Sequence, residues 1–246
     1  MFNFGELLNR IHYILFMGKI SSLLFKLVYK VSVGKFKTKL DLLKHGWGLM
    51  VSPDSILVQS GYVNSFLSGE AIDIKNEPTP WMNYCLIELL KNRLKRDIKI
   101  CEYGSGNSTL FFANRVDHVV SIEYDQKWYD LIHLKLKSEN LRNVEYVFCS
   151  LGENYADKIL ELDGLFDLVV IDGRQRVNCA ITANSKLTNM GVILLDDSNR
   201  VKYSEIFKFY SEKGFSHLSF SGLKPLGFGI DVSTIFYRSG QNCFDL

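Results

Sequence analysis

No run of about 18 uninterrupted apolar residues occurs in this 246-residue chain, so nothing in it reads as a membrane-spanning helix. The most apolar segment, Ile11 to Val33, is broken by Lys19, Lys26 and Lys30. The early residues hold no basic cluster and no small-x-small site follows, which argues against a secretory signal. The five cysteines, Cys85, Cys101, Cys149, Cys179 and Cys243, are odd in number and form no close pair. Neither a disulfide framework nor a zinc knuckle is therefore indicated. Cys101 and Cys149 fall in apolar runs and read as small buried hydrophobes, as suits a reducing cytosol. The net charge is only +2, and no internal repeat or low-complexity tract is visible.

What charge there is lies unevenly. Residues 1–50 hold eight Lys/Arg against two Asp/Glu, and the remainder 21 against 25. The larger part therefore lacks the basic character of a nucleic-acid binder. The N-terminal part, with Lys35, Lys37, Lys39 and Lys44 continuing the bias, has two readings. One is an interfacial helix on anionic lipid at the inner face of the cell membrane. The other is a helix that packs on the main domain or forms a homodimer contact.

Trp47 to Asp73 reads as irregular, with Gly61 to Ser65 in a lid or a short β element. Pro78-Thr79-Pro80-Trp81 breaks the chain before a helix over about Met82–Leu94, where Leu86, Leu89, Leu90 and Leu94 recur at helical spacing. Strands then alternate with helices. The strands are Ile98–Tyr103, His118–Glu123, Val144–Cys149, Phe166–Asp172 and Gly191–Asp196. The helices are about Ser108–Arg115, Lys127–Asn140, Tyr155–Leu162, Val177–Asn189 and Val201–Lys213. Ser216–Ser221 and Ser233–Arg238 follow with no helix between them, joined by the Gly-rich loop Gly222–Gly229. The pattern predicts an α/β protein: a Rossmann-like, seven-stranded, mainly parallel sheet with a C-terminal antiparallel strand pair, plus an N-terminal helical extension. The expected division is 1–75 for the extension and 76–246 for the main domain.

The most informative stretch is Ile98 to Thr109. A strand runs into Glu102, then the tight turn Gly104-Ser105-Gly106, then helix-favouring residues. A dinucleotide fold would want a third glycine where Thr109 stands, and Glu102 would repel a phosphate. A cationic ligand such as S-adenosylmethionine, with an ammonium and a sulfonium, suits that carboxylate better. Glu123 ends the next strand about 17 residues after Gly106, near the ~20 expected of a ribose-binding acid.

Ligands of open α/β sheets bind beyond the carboxyl ends of the strands. The residues there are Glu102, Glu123, Cys149–Ser150, Asp172 and Asp196–Asp197. Asp172, after the apolar Leu168–Ile171, is a general base for an acceptor hydroxyl, a holder of the cofactor ammonium, or a helix cap paired with Arg174. Arg174 and Arg176 suit a carboxylate or phosphate on an acceptor, or are surface residues. Asp172 and Asp197 belong to neighbouring strands, and two such carboxylates can hold Mg²⁺ or Mn²⁺. The alternative is that Asp196 or Asp197 caps the helix near Val201.

Glu102, Gly104, Gly106 and Glu123 resemble the first and second motifs of the class I S-adenosylmethionine-dependent methyltransferases, over roughly Trp81 to the C-terminus. More locally, Pro80-Trp81, Glu102 to Thr109, Ile171 to Arg174, Asp196 to Arg200 and Thr234 to Arg238 resemble methyltransferase-like proteins encoded with bacterial surface-polysaccharide genes. The strand-end acids are distantly similar to those of plant xylan-glucuronate O-methyltransferases. The resemblance implies O-methylation of a sugar or glycan. Glu102 and the Gly104–Gly106 turn, with Tyr103, Ser108 and Thr109, would hold the methionine part. Glu123 would take the ribose, and Tyr124 and Ser150 would flank the adenine. Asp172 and Asp197 would be catalytic, and Trp81, Arg174 and Arg176 would meet the acceptor. The acidic ends also look like the metal sites of cation-dependent O-methyltransferases, with Ser198 where those enzymes commonly have Asn. Three other readings stay open: a membrane-recruited scaffold that binds the cofactor without turnover, a small-molecule methyltransferase, and a nicotinamide oxidoreductase.

Overall fold

The computed structural model describes residues 30, 34–152 and 154–246. Most of the apolar segment Ile11–Val33 lies outside these residues. Residues 57–246 form one compact unit, which begins upstream of the 75/76 boundary expected from the sequence. A separate unit contains helix α1 (Gly34–Val51), where an irregular chain was expected from Trp47 onward.

In the larger unit, α2 (Tyr62–Ser68) also replaces expected irregular structure. The sequence disguises it because the helix is short and bounded by Gly61 and Gly69, both left-handed at φ 82° and 75°. Glycine adopts that conformation without penalty and so starts and stops the helix abruptly. Next come α3 (Tyr84–Arg93), β1 (Lys99–Tyr103), α4 (Asn107–Ala113), β2 (His118–Glu123), α5 (Gln126–Ser138), β3 (Val144–Phe148) and β4 (Phe166–Ile171). They are followed by α6 (Arg176–Ala183), β5 (Leu187–Leu195), α7 (Ser204–Glu212), β6 (Ser216–Gly222) and β7 (Asp231–Tyr237).

The sheet order is β3-β2-β1-β4-β5-β7-β6. β1 pairs in parallel with β2 and β4, β2 with β3, and β4 with β5, whereas β7 runs antiparallel to β5 and β6. This is the expected sheet. Its central strands are continuous apolar runs because helices cover both faces. Along β4, Val169 and Ile171 enter one core with Tyr103, Ile122, Tyr210 and Phe236. Leu168 and Val170 enter the other with Phe111, Phe112, Leu194 and Phe244. Winding starts at β1 and reverses at β4, so a crevice opens beyond the carboxyl ends of these two strands.

Three further element assignments change. The helix expected to reach Asn189 stops at Ala183, and β5 starts at Leu187 instead of Gly191. Leu187 pairs with Phe166, and a register shift between Phe166 and Leu168 absorbs the extra residues. The expected helix Tyr155–Leu162 is a tighter 3₁₀ segment, Ala156–Glu161.

Candidate active site

Gly104 closes β1 in the left-handed region, at φ 91°. A Cβ there would lie 2.8 Å from Gly173 N and 2.9 Å from the Asp172 carbonyl carbon. The glycine thus lets the ends of β1 and β4 touch. Gly106 differs: its φ of 170° is ordinary extended backbone, and an added Cβ would meet only Trp128, at 4.0 Å. The turn leaves open space on that side.

A cavity of about 820 Å³ spreads over this turn. At one end stand Glu123, Tyr124, Asp125, Trp128 and Leu131, and at the other Trp81, Asp172, Arg174, Asp197 and Lys224. Gly104 and Ser105 form the floor between them. The volume lies in the range of small-molecule sites.

Glu102, Tyr103, Ser108 and Thr109 were expected at the ligand, but they lie beneath the floor. Glu102 has no solvent exposure. It accepts hydrogen bonds from Ser108 Oγ (2.9 Å), Ser121 Oγ (2.8 Å) and Thr109 Oγ1. Burial pushes its carboxyl up to about 7, with the three hydroxyls holding it back. It braces the turn from inside. Tyr103 is buried and donates its hydroxyl to Ala156 O at 2.6 Å.

Glu123 does line the cavity. Its Oε2 accepts from the backbone N–H and the hydroxyl of Ser105, at 2.9 and 3.0 Å. Its Oε1 accepts from the N–H groups of Tyr124 and Asp125, both at 2.8 Å. All four acceptor directions of a carboxylate are thereby used. A diol that binds Glu123 must replace the Ser105 hydroxyl, which keeps Tyr146 Oη as a partner at 2.7 Å. Trp128 is fixed beside it by Nε1 donating to Ser105 O at 2.7 Å. Ser150, expected at the adenine, instead lines a separate depression with Phe148, Cys149 and Lys158.

Arg176 organises the other end. It donates to the carbonyls of Gly173, Asp172 and Asp196 and, at 2.7 Å, to Asp172 Oδ1. It also lies 3.6 Å from Asp197. With its donors spent on the protein, Arg176 positions the strand ends instead of meeting the acceptor. Asp172 is pushed up to about 6 by burial, against the lowering effect of Arg176. Asp197 is left-handed at φ 51° and is held by Arg200, Lys224 and Arg176. Burial opposes them, but these cations keep its carboxyl below the ordinary value.

The expected metal pair does not fit. The Arg176 guanidinium stands between Asp172 and Asp197 where a divalent ion would have to bind. Among the described residues, the group of three carboxylates that lie within 4.8 Å of one another is Asp196, Asp197 and Asp231, and Asp172 is not part of it. There Lys224 Nζ pairs with Asp231 at 2.9 Å and Asp197 at 3.3 Å. Asp196 accepts from Ser233 Oγ at 2.7 Å, and Ser233 in turn bonds Asn83, whose side chain starts α3. Neither Asp196 nor Asp197 caps α7.

Trp81 and Arg174 stand in the cavity wall, Trp81 with Lys224 Nζ 5.5 Å from its ring. Sequence reasoning missed Ser105, Trp128, Arg200 and Lys224. Trp128 had a signal: Asp125 accepts from its N–H at 3.0 Å as the N-cap of α5. Lys224 had none, since it arrives from the β6–β7 loop.

No protein-family model matches the chain, and no curated protein sequence matches it either. Solved structures do. The chain is similar to the O-methyltransferase TomG from Streptomyces achromogenes, involved in tomaymycin synthesis and solved in complex with S-adenosylmethionine. The TM-score is 0.53 at 15% identity, over 80% of this chain and 96% of that one. It is also similar to precorrin-6y C5,15-methyltransferase from Geobacter metallireducens GS-15, with a TM-score of 0.51 at 18% identity, over 63% of this chain and 87% of that one. At these identities the likeness is one of fold: this chain has the Rossmann-like sheet found in methyltransferases.

Proposed function

We propose that the chain is an S-adenosylmethionine-dependent O-methyltransferase acting on a hydroxyl of a sugar or glycan, on the cytoplasmic side of the membrane. The observation that carries this is the single cavity running from Glu123 and Trp128, across the Gly104 turn, to Asp172. Its carboxylates suit the cationic cofactor, its aromatic wall suits a nucleoside, and its far end presents a base. The fold shared with TomG supports the same reading.

When bound, S-adenosylmethionine supplies a methyl whose bond to sulfur breaks, leaving the electron pair on sulfur, as the bond to the acceptor oxygen forms. The chain's own residues do the rest. Glu123 accepts from a ribose hydroxyl once the Ser105 hydroxyl gives way. Tyr124, Trp128 and Leu131 cover the nucleoside and keep water away. Asp172 removes the acceptor's hydroxyl proton, with Arg176 fixing its carboxylate. Trp81 offers a face on which a sugar can stack. Alignment of this kind is worth about 7–11 kcal/mol.

Calorimetry with S-adenosylmethionine tests the reading directly. Wild type should bind, and Glu123→Gln should bind at least about tenfold more weakly through loss of a charge-assisted pair. Transfer of labelled methyl to a panel of sugars, sugar phosphates and lipid-linked sugars then separates an enzyme from a scaffold. Binding without transfer to any of them would favour the scaffold, and preference for a nicotinamide nucleotide would sink both.

A further inference from the structure

A second depression, of about 270 Å³, adjoins the main cavity and shares Gly173, Arg174, Arg176 and Arg200 with it. Lys202, Tyr203 and the start of α6 complete it. Four of its lining residues are cationic and none is acidic.

Two of the four charges are already balanced: Arg176 pairs with Asp172, and Arg200 with Asp197. Arg174 and Lys202 have no carboxylate within 4.0 Å among the described residues. Arg174 is steadied by Tyr124 Oη at 3.1 Å, and Lys202 Nζ lies 5.0 Å from the Tyr203 ring. The concavity therefore holds two uncompensated positive charges. The wall at α6 adds to them. Gln175 gives the helix no side-chain cap, and the N–H groups of Arg176, Val177 and Asn178 meet no acceptor among the described residues. Free amides at a helix start favour an anion, and guanidinium forks suit phosphate oxygens.

We propose that this depression binds a phosphoryl group of the methyl acceptor, so that the substrate is a phosphorylated or diphosphate-linked sugar and not a neutral glycan. A dianion balances Arg174 and Lys202, whereas a carboxylate leaves one charge over. Arg176 lines both spaces and bonds Asp172. An anchored phosphoryl group thus fixes the distance from the reacting hydroxyl to the base. The proposal deepens the methyl-transfer reading and rests on it only for the identity of the ligand as acceptor.

The test is calorimetry of the full chain at low ionic strength with inorganic phosphate, pyrophosphate and acetate. S-adenosylmethionine is titrated in parallel, with Lys202→Ala and Arg174→Ala as variants. Both side chains are exposed, so the variants should fold, as their unfolding temperatures will show. Phosphate and pyrophosphate should bind wild type saturably and more weakly as salt rises. Each substitution should cost about tenfold, and the double variant should lose binding. Lys202→Ala should keep the affinity for S-adenosylmethionine, because Lys202 does not line the main cavity. No saturable phosphate binding, binding indifferent to Lys202→Ala, or acetate bound as tightly as phosphate would each overturn the proposal. Loss of S-adenosylmethionine binding in wild type with phosphate binding retained would instead remove the methyl-transfer reading and leave the anion site standing.

Discussion

Glu102 sits at the end of β1 with no solvent exposure and three hydroxyl donors around it, its carboxyl pushed up to about 7 from 4.5 mainly by burial. The folded state therefore holds a proton that the unfolded chain releases between those values. Stability contributed by this group falls as pH rises from about 4.5 to about 7 and is constant above. Glu102→Gln cannot titrate, so urea unfolding of wild type and variant across this window isolates the effect. The stability of wild type relative to the variant should drop by up to about 3 kcal/mol, and a difference that stays flat would remove the shift. Asp172 behaves differently because it faces the cavity. If it is the base proposed above it must be ionised, so kcat/KM should climb with pH about a midpoint near 6 and level off above. Asp172→Asn should lower kcat by about 10²–10⁴-fold. With Arg176, Arg200 and Lys224 already on the neighbouring carboxylates, activity should survive excess EDTA. Abolition by chelator and rescue by Mg²⁺ would restore the metal assignment.

At the scale of elements, the two glycines of the β1–α4 turn look alike in the sequence and differ in the structure. Gly104→Ala puts a methyl against the backbone of Gly173 at a φ of 91°, and should cost about 1–3 kcal/mol. Gly106→Ala meets only Trp128. It should change stability by less than about 0.5 kcal/mol yet weaken S-adenosylmethionine binding, since the methyl stands beside a residue of the cavity wall. Thermal denaturation and calorimetry on both variants check this, and equal destabilisation would contradict it. The same contrast shows what was legible in the sequence. The strands could be read because buried parallel strands are unbroken apolar runs such as Leu168–Ile171. Their acidic ends could be placed because the crevice follows from the winding. Which of those acids faces ligand could not be read: whether Glu102 points up or down depends on Ser108, Thr109 and Ser121 closing around it. Lys224 and Arg200 stayed hidden for a related reason. They reach the site through loops, and no periodicity announces a loop's position.

At the scale of the whole chain, the eight-to-two basic excess of residues 1–50 remains to be placed. No helix among the described residues is long and apolar enough to cross a membrane. Within α1, Leu43, Trp47 and Val51 recur at four-residue spacing, so they form one ridge, and they are 66%, 61% and 50% exposed. By the same four-residue spacing Lys39 and Lys35 continue that ridge toward the start of the helix. An apolar ridge beside lysines is the pattern of a helix lying in the surface of an anionic bilayer. Each basic residue near such a surface adds about 1 kcal/mol. Peripheral binding would place the chain where the acceptors proposed above could be lipid-linked. Co-sedimentation with liposomes tests this. Binding should require anionic lipid, weaken as salt rises, and fall when Leu43 and Trp47 are both changed to Ser or when residues 1–44 are removed. Full-length protein left in the supernatant with anionic liposomes at low salt would make the helix a packing or dimer element. A dimer would then show as a doubled mass in sedimentation velocity that the Leu43→Ser/Trp47→Ser variant loses.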